Sequence, residues 1–115
     1  MSRGHPEHSA ARRRHHAVIF AALGDETRLA LVTALATGEA QSISRLTAGT
    51  RLTRQAVTKH LRVLQGAGLV RGARHGRESL FELDPQPMKE MQEYLGRVSQ
   101  QWDEVLLRLK AHVES

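Results

Sequence analysis

The chain is 115 residues long, 40% hydrophobic and 3% aromatic, with no cysteine and a formal net charge of +5. That is the size of one domain built on Leu, Val, Ala and Ile, and so small a core often leaves surface that needs a partner. Without cysteine there are no disulfides, thiolate metal sites or cysteine nucleophile, which fits a reducing, cytoplasmic setting, and no apolar run reaches membrane-spanning length.

Residues 1–11 are polar with Gly and Pro and are predicted to form a disordered tail. A first helix is predicted over residues 12–23, with Val18, Ile19, Ala22 and Leu23 on its apolar side. The stretch RRRHHAVIFAALG has the outline of a signal peptide. Its apolar run is short, however, and GDETR follows in place of a cleavage site, so export is not expected. In GDETRLALVTALATG, Asp25 is the predicted N-cap and Gly38 the stop of a second helix, with Leu29, Val32 and Leu35 at helical spacing. Ser42 caps a short third helix with Ile43 and Leu46 inward, GTRL turns the chain, and Thr53 caps a fourth helix that ends near Gly66 and Gly68. LVRGARHGRESLFEL reads as a β-hairpin whose two-residue turn is His75-Gly76. Pro85 and Pro87 end the strand and lead into a last helix, Met88 to about Val113.

Charge is unevenly distributed. Residues 40–77 hold eight Lys/Arg and no acid, whereas residues 78–115 hold eight acids and four bases. A basic middle favours a polyanion such as nucleic acid. Around the fourth helix, Arg54, Gln55, Thr58, Lys59 and Arg62 fall within an arc of about 140°, opposite Ala56, Val57, His60, Leu61 and Leu64. A short helix, a turn and a second helix with a one-sided basic face make a helix-turn-helix, and a β-hairpin directly after it is a wing. The predicted fold is mainly α with a β-hairpin wing (α+β), in the order α-α-α-α-β-β-α. Residues 12–84 would form the winged helix-turn-helix domain, including a first dimer helix, and residues 85–115 a dimerisation helix.

LGDETRLALVTALATG, SISRL, LTRQAVTKHLRVLQGAGLVR and GRESLFEL resemble the ArsR/SmtB family of winged-helix repressors over roughly residues 17–84. The resemblance implies a homodimer that binds an inverted-repeat operator in double-stranded DNA and releases it when an inducer, often a metal, binds. This sequence departs from the family pattern in places that matter. The arsenic-type cysteines at the start of the short helix are replaced by Ser42 and Ser44, and a serine hydroxyl is a poor ligand for soft or borderline metals. The zinc-type set on the last helix is reduced to His112 near Asp103, Glu104 and Glu114, at the wrong spacing. Arg51 stands where the family's turn has Gly, which suggests a left-handed residue held at some cost, and Arg45 stands where an acid is common. No metal site and no cofactor are expected, and an inducer of unidentified small-molecule chemistry stays open.

For DNA, Arg54 and Gln55 are expected to reach base edges, and Thr58, Lys59 and Arg62 to hold phosphates, with Arg45, Arg51 and Thr53 beside them. The wing would add Arg74, His75 and Arg77, with Arg71 a lesser candidate. The plainer alternatives are a solvated basic face, a hairpin tip that only aids solubility, and a winged-helix protein-interaction module with incidental DNA affinity. A metal-responsive repressor would use His5, His8, His15, His16 or His112, although a histidine-rich start of this kind is more often a tail. His60, on the apolar side, reads as a packed and hydrogen-bonded residue.

Met88, Met91, Leu95, Val98, Trp102, Val105 and Leu109 alternate three and four apart, a heptad seam. With Val18, Ile19 and Leu23 of the first helix it is the expected dimer interface, anchored by Trp102 and widened by Tyr94, Leu106 and Val113. The alternative is packing on its own domain. With no glycine-rich phosphate loop and no catalytic set, an enzyme is not expected.

Overall fold

A computed structural model describes residues 5–114, with side chains from Ala10 onward. The elements are α1 (His5–Leu23), α2 (Glu26–Leu35), β1 (Gln41–Ser42), α3 (Ile43–Ala48), α4 (Arg54–Gly66), β2 (Val70–His75), β3 (Glu78–Leu83) and α5 (Pro85–Glu114). They fall into two compact units, one up to Pro85 and one from Gln86 onward.

In the first unit, α1 and α2 pack together and both pack on α4, while α3 and β2 flank α4. Ile19, Leu31, Leu35, Val57, Leu61, Leu64 and Leu69 are fully enclosed. Each such side chain stabilises the fold by about 1.5–3 kcal/mol. On α2 the buried set is Leu31, Val32 and Leu35, whereas Leu29, which shares the helical spacing of Val32 and Leu35, is 50% exposed. The reason is tertiary: α2 is covered from both α1 and α4, which shifts its buried stripe by part of a turn.

Caps set the helix limits. Asp25 Oδ2 accepts the Arg28 N–H at 3.0 Å, Ser42 Oγ that of Arg45 at 3.1 Å, and Thr53 Oγ1 that of Ala56 at 3.1 Å. Each side chain satisfies one of the N–H groups that a helix start leaves open. At the end of α4, Gly68 (φ 79°) is left-handed. Its N–H donates to the Gln65 carbonyl and that of Leu69 to the Leu64 carbonyl, both at 3.0 Å. This paired closure needs a residue at ease at positive φ.

Several boundaries differ from the sequence expectations. α1 starts at His5, so residues 5–11 are helical and not a disordered tail, while residues 1–4 lie outside the described residues. Pro6 falls in the first turn, where its missing N–H costs no helix bond, and Ala10 to Arg14 are good helix formers. By the same rule α5 starts at Pro85 instead of Met88. β1 was not foreseen. It pairs antiparallel with β3 (Gln41 with Phe81, Ser42 with Leu80) and completes a sheet of order β1-β3-β2. Two residues carry no readable period, so only the pairing reveals the strand.

The hairpin turn is also displaced by one residue. His75 pairs with Glu78, so the turn is Gly76-Arg77 and not His75-Gly76. Gly76 has φ 62° and Arg77 does not have positive φ. A two-residue turn with glycine first matches the twist of its strands.

The second unit is α5 alone, about 45 Å long at its length of 30 residues. Leu95, Val98, Trp102, Leu106, Leu109 and Val113 along it are all exposed.

Candidate nucleic-acid interface

α4 is mounted by its apolar stripe. With Val57, Leu61 and Leu64 buried, the opposite side must face out. Arg54, Gln55, Thr58, Lys59 and Arg62 line one shallow depression of about 320 Å³ on that side, with no acid among them. The five residues grouped by the helical arc are therefore neighbours in space. Thr53, expected beside them, has its hydroxyl occupied by the cap.

α3 and the turn hold this helix from the front. Ser44 Oγ accepts from Arg54 Nη1 at 3.0 Å, and Thr58 Oγ1 donates to the Arg54 carbonyl at 2.8 Å. Ser42 and Ser44, at the positions of the arsenic-type cysteines, thus cap α3 and steady the first residue of α4 respectively. Arg45 and Arg51 are exposed. Arg51 is not left-handed, because among the described residues only glycines have positive φ. The turn closes instead through Thr50, whose N–H donates to the Thr47 carbonyl at 3.0 Å and whose Oγ1 accepts the Leu52 N–H at 3.1 Å. A hydroxyl closing such a loop removes the need for glycine.

Register divides the wing cations between two faces. Gly72 pairs with Phe81 and Arg74 with Ser79 on one face; Arg71 pairs with Glu82 and His75 with Glu78 on the other. The first set lines a groove of about 390 Å³ between α4 and the hairpin, together with Thr58, Arg62 and Gln65. Arg71 Nε donates to Glu82 Oε1 at 2.8 Å, and its Nη1 lies 4.0 Å from Asp84 Oδ2. The Glu82 carboxylate, by hydrogen bond and charge, holds the Arg71 guanidinium protonated even above its ordinary value. Arg71 is thus a cross-strand ion pair. Arg77 sits exposed in the turn. Gln65 and Ser79 join the groove without having been singled out from sequence. Gln65 follows Arg62 by three residues, a spacing that shares a helix face. Ser79 needs the strand register to be found.

Behind α4, His60 lies half-buried, with Nδ1 3.2 Å from Arg28 Nη1 and 3.8 Å from Asp25 Oδ2. Arg28 Nε also donates to the Ala22 carbonyl at 2.6 Å, which ties off the end of α1. The Arg28 backbone N–H, assisted by the guanidinium charge, holds the Asp25 carboxyl below its ordinary range. Among the described residues no three His, Cys, Asp or Glu side chains gather as a metal site. The rings of His15 and His16 are 5.8 Å apart, and the side chains of His5 and His8 lie outside the described residues. No helix among the described residues is long and apolar enough to cross a membrane.

Residues 23–73 match the helix-turn-helix domain family. The chain is 35% identical over 79 residues to an uncharacterised HTH-type transcriptional regulator, YuzN, of Bacillus subtilis, spanning 64% of this chain and 86% of that one. It superposes on an ArsR-like transcriptional regulator from Rhodococcus at TM-score 0.75 and 35% identity, covering 87% of this chain and 93% of the other. This chain belongs to the ArsR family. Its α3–α4 pair is the family's helix-turn-helix and its β2–β3 hairpin the wing, and ArsR proteins are DNA-binding transcriptional regulators, not enzymes. The same fold occurs, at 19% identity and TM-score 0.67 over 90% of this chain and 92% of the other, in the homodimeric winged helix-turn-helix DNA-binding domain of a possible ArsR-family regulator from Mycobacterium bovis.

Proposed function

We propose that the protein is a homodimeric, sequence-specific repressor that reads an inverted-repeat operator with α4 and does not use the family's usual metal sites. The observation that carries this is the acid-free depression formed by Arg54, Gln55, Thr58, Lys59 and Arg62 on the outward face of a capped helix. Arg54 and Gln55 would meet base edges, and Lys59 and Arg62, with Arg45, Arg51 and the wing residues Arg74 and Arg77, would meet phosphates. His75, opposite Glu78, has weaker claim to that role than Arg74. Two such helices in one dimer would enter successive major grooves about 34–36 Å apart.

Dimerisation is supported by the exposed seam of Leu95, Val98, Trp102 and Leu109 on α5 and by the homodimeric Mycobacterium relative. From α1, Val18 is 54% exposed and suits an interface, whereas Ile19 is fully buried and belongs to the core. Independence from metal is supported by the employment of Ser42 and Ser44 as structural acceptors. A DNA partner supports a cytoplasmic location.

The test is a shift assay on the promoter region of the protein's own gene with random-DNA competitor. Gln55→Ala should relax discrimination at one base position, and Lys59→Ala should weaken all sequences alike. A Gln55/Lys59 double variant that binds like wild type would remove α4 as the reading face. Complete competition by random DNA would favour a protein-interaction module instead.

A further inference from the structure

The cations of residues 40–77 are not equivalent once their partners are known. Arg54 donates to Ser44, and Arg71 is neutralised by Glu82 and Asp84. Arg62 and Arg74, by contrast, have no hydrogen bond or ion pair with any described residue, and the same holds for the side chains of Gln65 and Ser79. These four groups come from three elements, α4, β2 and β3, yet they line one groove that contains no acid. Gln65 reaches across to the strand, since a Cβ on Gly72 would lie 3.5 Å from its Nε2 and 3.8 Å from the Phe81 ring.

Two like charges lining one acid-free groove repel unless an anion neutralises both. Guanidinium forks on the helix and wing sides, an amide and a hydroxyl offer more donors than the two oxygens of a carboxylate can accept, and suit the several oxygens of a phosphate. Ile43 and Phe81 supply apolar lining beside them, against which an attached sugar can rest. We infer that the groove between α4 and the wing is a seat for a single phosphate group, gripped jointly by Arg62 and Arg74 and hydrogen-bonded by Gln65 and Ser79. The seat deepens the DNA reading, since its natural source is a backbone phosphate. A free phosphate is the other source of the same chemistry.

Salt titration of binding to a duplex of arbitrary sequence tests the shared grip. Each neutralised phosphate contributes about 0.9 to the slope of log K against log salt. Arg62→Ala and Arg74→Ala should each lower the slope by less than that, because the other guanidinium stays. The double variant should lose about 0.9. A loss near 1.8 in the double variant, about two phosphates' worth, would overturn the shared seat while leaving DNA binding intact. Gln65→Ala and Ser79→Ala should weaken binding about three- to tenfold with the slope unchanged, as loss of an uncharged donor requires. Arg71→Ala should leave the slope where it was.

The second arm follows the Gln65 side-chain amide and the Ser79 N–H by NMR during titration with inorganic phosphate, against chloride at equal ionic strength. Shifts that vanish in the Arg62/Arg74 double variant, in a protein that does not bind duplex, would sustain the seat for free phosphate and sink the DNA reading. A one-phosphate slope loss without any response to inorganic phosphate would sustain the seat for the DNA backbone. Neither signal in a folded protein would overturn the seat altogether.

Discussion

Arg28 Nη1 lies 3.2 Å from His60 Nδ1, and this contact joins the start of α2 to the middle of α4. Arginine only donates, so Nδ1 is the acceptor and the ring proton sits on Nε2. The same guanidinium donates to the Ala22 carbonyl at the end of α1, so one side chain bridges three helices behind the outward face of α4. Arg28→Met should destabilise the fold by about 1.5–3 kcal/mol, the worth of a charge-assisted hydrogen bond. It should also weaken DNA binding with the salt slope unchanged. Chemical denaturation and binding across a salt series measure the two effects. A slope reduced by about 0.9 would instead make Arg28 a phosphate contact.

The turn between α3 and α4 makes a prediction opposite to the family pattern. Because Arg51 keeps a negative φ, replacing it with glycine relieves no strain and adds freedom to the unfolded chain. Arg51→Gly should therefore cost about 0.4–1 kcal/mol. Thermal melting of the two proteins decides the matter, and a more stable glycine variant would mean that the backbone at residue 51 is left-handed after all.

Asp25 gives the pH dependence. Its carboxyl is held below the ordinary value of 3.8, first by the Arg28 N–H it accepts. A depressed folded-state value means the folded protein binds the proton less readily than the unfolded chain. The contribution is therefore complete above about pH 4 and is lost as pH falls through the lower, folded value. Asp25→Asn, which still caps a helix but carries no charge, should melt somewhat below wild type at neutral pH and lose less stability between neutral pH and pH 3 than wild type does. Identical acid sensitivity in the two proteins would show that Asp25 takes no part in it.

The α5 seam makes a prediction about assembly. Trp102 is 61% exposed and Leu95 51%, and a Trp at the centre of an interface is typically worth about 2 kcal/mol or more. Trp102→Ala should weaken dimerisation by about thirtyfold, and Leu95→Glu should abolish it, while neither lowers the helix content of the monomer. Sedimentation across a concentration series reads both. A wild type that stays monomeric at every concentration would leave the seam without this partner.

The sequence was most legible where one periodic helix carried the information. The α4 arc placed Arg54, Gln55, Thr58, Lys59 and Arg62 together, and Asp25, Ser42 and Thr53 announced the caps, because both signals are local to a few residues. Local reasoning failed where the deciding contact was distant. Leu29 shares a helical period with Val32, but what covers α2 determines that Leu31 is buried instead. Arg71 and Arg74 look alike in VRGARHG, yet one is spent on Glu82 and the other faces an open groove.

By itself, then, the sequence determined the order of the five helices and the hairpin, the capped helix with its one-sided basic face, and the winged helix-turn-helix, but not β1. These follow from periodicity, capping residues and turn chemistry, all short-range. Only the tertiary structure decided which cations are free, that Arg28 holds His60, that Gly76-Arg77 is the turn, and that Gln65 and Ser79 share a groove with Arg62 and Arg74. Helix packing sets the Arg28–His60 contact, and strand register sets the others, since a shift of one residue reverses every side chain. Register depends on the partner strand, which a linear reading of either strand does not contain.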